Sequence, residues 1–186
     1  MTNAVETDVL LNRLRIAGWG AAGLLLLLPL VAMQFTGEVN WTGSDFAVFG
    51  AMLLTAGGAC ELGARLSRNW SYRLGTGLAV GTGFLLVWIN LAVGIIGSEN
   101  NAANGMYAGV LGIGVVGALL SRFRASGLKR TLITMAIGQV TVSLIALVVF
   151  QAFTLVLDGV FAGLWLASAW QFGRAAQARV QAVEQR

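Results

Sequence analysis

The chain has 186 residues, 57% of them hydrophobic and 11% charged, with twelve Lys and Arg, eight Asp and Glu, no His and a net charge of +4. A mean hydropathy of +0.78, with roughly half the charge of a soluble domain, argues against a water-soluble globular fold and for lipid as the solvent. Without His there is no bis-His haem, His-ligated zinc or copper, or His-based acid–base chemistry, and Cys60 alone permits no internal disulfide.

Residues 1–15 come first. Val9, Leu10, Leu11 and Leu14 are interspersed with Asp8, Asn12, Arg13 and Arg15 at helical spacing, which suits a short amphipathic helix on the inner leaflet, with a frayed tail as the alternative. The first apolar span is expected over 16–35. It is too long for a signal-peptide core, and Val31, Ala32, Met33 and Gln34 make a poor cleavage site, so it reads as an uncleaved helix, kinked at Pro29.

Five more spans are predicted at 46–66, 74–96, 104–120, 131–150 and 155–172, each near the length that crosses the hydrocarbon. Continuous apolar runs without period-2 alternation can satisfy their backbone in lipid only as helices. Ser44 or Asp45 is expected to cap the second helix, Gly97 to close the third, and Asn101 or Asn104 to cap the fourth. The expected fold is all-α: a compact bundle of six transmembrane helices over 16–173, followed by a basic helical tail over 174–186.

Charge assigns the sides. Arg13 and Arg15 precede span one; Arg65, Arg68 and Arg73 join spans two and three. Arg122, Arg124, Lys129 and Arg130 join four and five, and Arg174, Arg179 and Arg186 follow six. The other three loops hold only Glu38 with Asp45, Glu99, and Asp158. One side thus carries a net +8 and the other −4, consistent with the overall +4. By the positive-inside rule both termini are cytoplasmic. Aromatic belts agree, with Trp19, Trp70, Tyr72 and Trp170 at the inner boundary, Trp41 and Tyr107 at the outer one, and only Trp88 and Trp165 deeper. Basic residues beside membrane spans are explained by orientation and anionic lipid headgroups, so no nucleic-acid partner is expected.

Spacing then offers candidate sites. Gly77 and Gly81, Gly105 and Gly109, and Gly159, Gly163 and Ala167 repeat at i,i+4, a GxxxG pattern that lets membrane helices approach closely. Glu61 is the one candidate for an intramembrane charge, with Arg65 at i+4 as its expected ion pair. Asn90, Gln139 and Ser143, with Thr55, Thr82, Thr134 and Thr141, could line a polar path or hydrogen-bond between helices; interhelical bonding is the preferred reading. The string Gly97, Ser98, Glu99, Asn100, Asn101, Ala102, Ala103, Asn104 offers hard oxygens, and Glu99, Asn100 and Asn101 with Asp45 or Asp158 form a weak candidate cation site. The competing reading is a helix end, a turn and a new cap, and no metal is assigned.

The stretch from Trp88, Ile89 and Asn90 through Gly97, Ser98, Glu99, Asn100 and Asn101, followed by Ala103, Asn104, Met106 and Tyr107, resembles a segment of a group of small uncharacterised bacterial inner-membrane proteins. The resemblance extends to Glu61, Leu62 and Arg65 and to the basic turn over 122–130. It departs at Ala102 and Ala103, where turn chemistry of the Asn-Pro or Asp-Pro kind is expected. It implies an inner-membrane location and carries no activity.

Three roles remain at this stage. No nucleophile sits beside a base, and there is no metal constellation or phosphate loop, so an enzyme is the least supported and no catalytic residue or cofactor is expected. A non-enzymatic accessory or interaction subunit, associating with itself or a partner membrane protein, is preferred. A small-solute or ion transporter using Asn90 and Gln139 is the alternative. On the accessory reading, Gln139→Leu is expected to leave folding largely intact.

Overall fold

The computed structural model describes residues 2–185, with side chains for 12, 13 and 15–185. The chain forms α1 (Thr2–Ala32), α2 (Gly43–Leu66), α3 (Trp70–Ala92), α4 (Gly105–Leu120), α5 (Ala125–Phe150) and α6 (Leu155–Glu184), with a 3₁₀ turn at Ala102–Asn104. All six helices are long and apolar enough to cross a membrane. The amphipathic pattern read from Val9, Leu10, Leu11 and Leu14 lies outside the described side chains, and Arg186 outside the described residues.

Local chemistry moves several boundaries. The cap of α2 is Thr42: its backbone N–H donates to Asp45 Oδ2 (2.7 Å) and its Oγ1 accepts from the Asp45 N–H (3.4 Å). This reciprocal pair makes Asp45 the third-turn-position partner in a capping box, not the cap itself. Helix α3 starts earlier than expected because Asn69 Oδ1 accepts from the Tyr72 N–H at 3.1 Å. It ends earlier because Gly94, not Gly97, closes it: Gly94 has φ +71° and donates to the Ile89 carbonyl at 3.1 Å, a left-handed stop that favours Gly. A Cβ on Gly94 would run into the Ser98 carbonyl. Helix α1 continues through Pro29, and α6 prolongs into the tail as expected.

The chain divides into two compact units, Met1–Leu62 and Gly63–Arg186. In the first, the Trp19 ring fills the notch left by Gly57, whose added Cβ would meet the ring at 2.8 Å. Arg15 Nε lies 2.8 Å from Glu61 Oε2, so the expected intramembrane charge is tied to α1. Trp41 stacks edge-on against Phe46 and Phe49 at 5.2 and 5.4 Å.

In the second unit α6 is the hub, packing along both α5 and α3, while α5 also packs on α4. The buried face of α6 runs Asp158, Phe161, Trp165, Ser168, Phe172, Ala175, steps of three and four that align side chains on one helix face. Helix α3 joins it through Gly75, where an added Cβ would sit 3.0 Å from the Phe172 ring, and through Ser168 Oγ, which donates to the Gly75 carbonyl at 2.7 Å. Tyr72 stacks edge-on against Phe172 at 5.0 Å and its hydroxyl donates to the Phe123 carbonyl. On α4, Gly114 admits the Met135 sulfur in the same way.

These are not the glycines that spacing singled out. Gly77, Gly81, Gly105, Gly109, Gly159 and Gly163 have nothing within 4 Å of an added Cβ, so among the described residues no neighbouring side chain packs into these positions. Close approach comes instead from single glycines, some facing a bulky side chain, as Gly75 and Gly114 do, and others a hydroxyl, as Gly63 faces Thr76 and Gly117 faces Thr131. Many large apolar side chains, among them Leu144, Val148, Val149, Val156 and Val160, point outward.

Candidate functional site

A short, sharply turned linker creates the most polar spot of the interior. Gln151 takes a left-handed conformation (φ +52°) after α5, and the Ala152 N–H returns to the Ala146 carbonyl at 3.0 Å. The linker then doubles back along α5. Thr154 Oγ1 lies 3.2 Å from Ser143 Oγ, and Ser143 precedes the end of α5 by two turns, about 10 Å at helical rise. Helix α6 therefore begins well below the end of α5.

This recess carries Asp158 to the middle of α5. Gln139 Nε2 donates to Asp158 Oδ1 at 2.7 Å, the Tyr107 hydroxyl donates to Asp158 Oδ2 at 3.2 Å, and Trp165 Nε1 donates to Gln139 Oε1 at 3.3 Å. Gln139 and Ser143 are separated by four residues on α5, and Thr154 and Asp158 by four across the start of α6, so two polar rungs stack one turn apart. All six side chains are buried, Gln139 and Asp158 at 0% and 1% exposure. Gln139 lies near the centre of the 26-residue α5.

Orientation within the cluster follows from donor chemistry. An indole N–H can only donate, so the Gln139 carbonyl must face Trp165 and its amide N–H must face the carboxylate. Asp158 Oδ1 is thereby fixed as an acceptor. The first-turn position on α6 adds the favourable end of a helix dipole, worth up to about 2 kcal/mol in partly buried settings. Hydrogen bonds to a charged group contribute about 1.5–3 kcal/mol each. Every one of these partners is neutral, and among the described residues no ion pair reaches Asp158.

The remaining sequence candidates go elsewhere. Asn90 donates Nδ2 to the Leu86 carbonyl of its own helix at 2.8 Å, and its Oδ1 is enclosed without a hydrogen-bond partner, as is Gln171 Oε1. No hydrogen bond joins Asn90 to Gln139. Thr55, Thr82, Thr134 and Thr141 each donate to the carbonyl four residues back, the self-satisfying arrangement of hydroxyls in apolar helices. Glu61 faces Arg15.

The outer loop organises itself around Asn104. Its Oδ1 accepts from the Ile95 and Ile96 N–H groups at 3.1 and 2.8 Å, and its Nδ2 donates to the Ser98 carbonyl at 2.7 Å. Asn104 makes no side-chain cap for α4. Asn101 Oδ1 accepts from the Ala103 N–H and so starts the 3₁₀ turn, while Asn100 Nδ2 donates to Glu99 at 3.0 Å on the surface. Of the oxygens considered for a loop cation, Glu99 Oε1 and Asn101 Oδ1 are engaged locally, Asp45 Oδ2 in the α2 capping box, and those of Asp158 by Gln139 and Tyr107. Among the described residues no group of three or more Cys, Asp or Glu gathers to hold a metal.

Sequence reasoning singled out Gln139 and Ser143 but placed Asp158 in a loop and Tyr107 in an aromatic belt. The available signal was phase: Asp158, Phe161, Trp165, Ser168 and Phe172 share one helical face, which turns Asp158 inward with Trp165. No protein-family model, curated protein or solved structure matches this chain.

Proposed function

We propose that this chain is a multi-pass protein of a bacterial inner membrane, with both termini cytoplasmic, serving as a non-enzymatic accessory or interaction subunit. The six apolar helices, their outward apolar side chains and the one-sided placement of Lys and Arg support the membrane part. The accessory part is supported by one observation: Gln139, Ser143, Thr82 and Thr141, which a permeation path would need, are engaged with other side chains or with their own helix.

Mild-detergent purification with mass analysis tests this reading. A co-purifying membrane protein or a defined homo-oligomer is the expected result; a lone monomer that supports solute flux in proteoliposomes would displace it. A second reading, ion or small-solute transport, is favoured by Asp158, since an ionisable residue buried in a spanning helix marks ion pathways by default.

A further inference from the structure

The Asp158 cluster has four properties that together specify a ligand. First, both carboxylate oxygens accept, Oδ1 from Gln139 and Oδ2 from Tyr107, and a carboxylate offers about four lone-pair directions, which leaves capacity for a further electropositive partner. Second, among the described residues of this unit no basic side chain is that partner. Its basic residues lie before or early in α3 (Arg65, Arg68, Arg73), around the α4–α5 turn (Arg122, Arg124, Lys129, Arg130) or in the second half of α6 (Arg174, Arg179).

Third, the donors nearest the carboxylate are hard oxygens: Tyr107 Oη and, one turn away, the Ser143 and Thr154 hydroxyls, either of which can act as the donor in their mutual bond. Such oxygens suit alkali and alkaline-earth ions and not soft metals. Fourth, the cluster contains a single carboxylate, which balances one positive charge, whereas divalent sites collect several carboxylates and six to eight oxygens. The two hydroxyl oxygens lie 3.2 Å apart in their mutual bond, close enough for both to meet one small ion.

We propose that Asp158, with the hydroxyls of Tyr107, Thr154 and Ser143, binds a monovalent cation of sodium size. Gln139 and Trp165 act as positioning residues: the indole fixes the amide, and the amide fixes one carboxylate oxygen. The inference rests on the transport-related reading of Asp158 only for the identity of the site. It holds whether the ion moves or stays.

The test is thermal unfolding of the purified full chain in neutral detergent at constant ionic strength, with sodium, potassium or N-methylglucamine as the chloride salt. A saturable rise of several degrees with sodium is expected, smaller with potassium and absent with N-methylglucamine. Asp158→Asn should abolish the sodium response, and Ser143→Ala should weaken its apparent affinity several-fold. Should Asp158→Asn not fold, retention of radioactive sodium by the wild type against Ser143→Ala gives the same decision. No sodium dependence in the wild type, an equal response to all three cations, or an undiminished response in Asp158→Asn or Ser143→Ala overturns the proposal. Sodium binding without flux in proteoliposomes would uphold the site and sink the transport reading, which keeps the two separable.

Discussion

Gln139→Leu is the most informative single substitution. Leu approximates the volume of Gln but removes both ends of the amide, so Asp158 Oδ1 loses its 2.7 Å donor and Trp165 Nε1 its 3.3 Å acceptor. In a soluble protein the first loss would cost about 1.5–3 kcal/mol and the stranded indole about 1–3 more. Side-chain hydrogen bonds between membrane helices measure lower, about 0.6 kcal/mol on average with a ceiling near 1.7, because the unfolded reference in lipid also finds partners. Both bonds here join fully buried side chains at the middle of α5, so the upper end applies and a destabilisation of about 2–3 kcal/mol is expected. This replaces the sequence-based expectation that the substitution leaves folding intact. Reversible unfolding in mixed micelles, run as a cycle with Asp158→Asn and Trp165→Phe, measures the loss and its coupling. A change below about 0.5 kcal/mol, with no coupling to either partner, would refute the claim that the three side chains act as one unit.

Four further outcomes follow from the geometry. Gly94→Ala should cost about 1–3 kcal/mol, because it forces a Cβ into a left-handed position against the Ser98 carbonyl; the same unfolding assay measures it. Asn104→Ala should loosen the outer loop by removing the bonds that hold Ile95, Ile96 and Ser98, read as faster hydrogen exchange over 94–104 with little change in α5. Gly75→Leu should separate α3 from α6 and lower the melting temperature by several degrees, whereas Gly81→Leu, facing open space, should not. Single cysteines replacing Lys129 and Glu99, in a Cys60→Ser background, should label from opposite sides of sealed vesicles; labelling from one side would overturn the proposed topology.

The helices were legible because their signal is local: long apolar runs, and turns rich in Gly, Asn and Arg. Their ends were less so. Gly94 and Gly97 both have positive φ, and nothing in the string says which one takes the Ile89 carbonyl. GxxxG spacing was equally ambiguous, since it specifies a smooth helix face but not what covers it, and the packing glycines Gly75 and Gly114 are marked only by the bulk of Phe172 and Met135 opposite. Arg15 as a partner of Glu61 was invisible in the sequence, because an interhelical pair leaves no trace in spacing. Asp158 was misplaced for a topological reason. Counting residues from the end of α5 puts it at the membrane edge, whereas a linker that doubles back lowers it by two turns.

That recess also explains how an apolar fold tolerates such a group. The linker is held rather than covered: Gln151 and Phe153 are exposed, Thr154 is buried, and the Ala152 and Thr154 N–H groups are satisfied by the Ala146 and Ala152 carbonyls. Holding α6 below the end of α5 leaves Asp158 facing Gln139 and Tyr107 instead of water. A bundle needing only rigidity could fill the same space with Leu or Asn at no electrostatic cost, because replacing buried ionic groups by packed apolar ones is often neutral or stabilising. A carboxyl group there, with its described hydrogen-bond partners neutral, fits the proposed cation, whose positive charge would come from outside the chain.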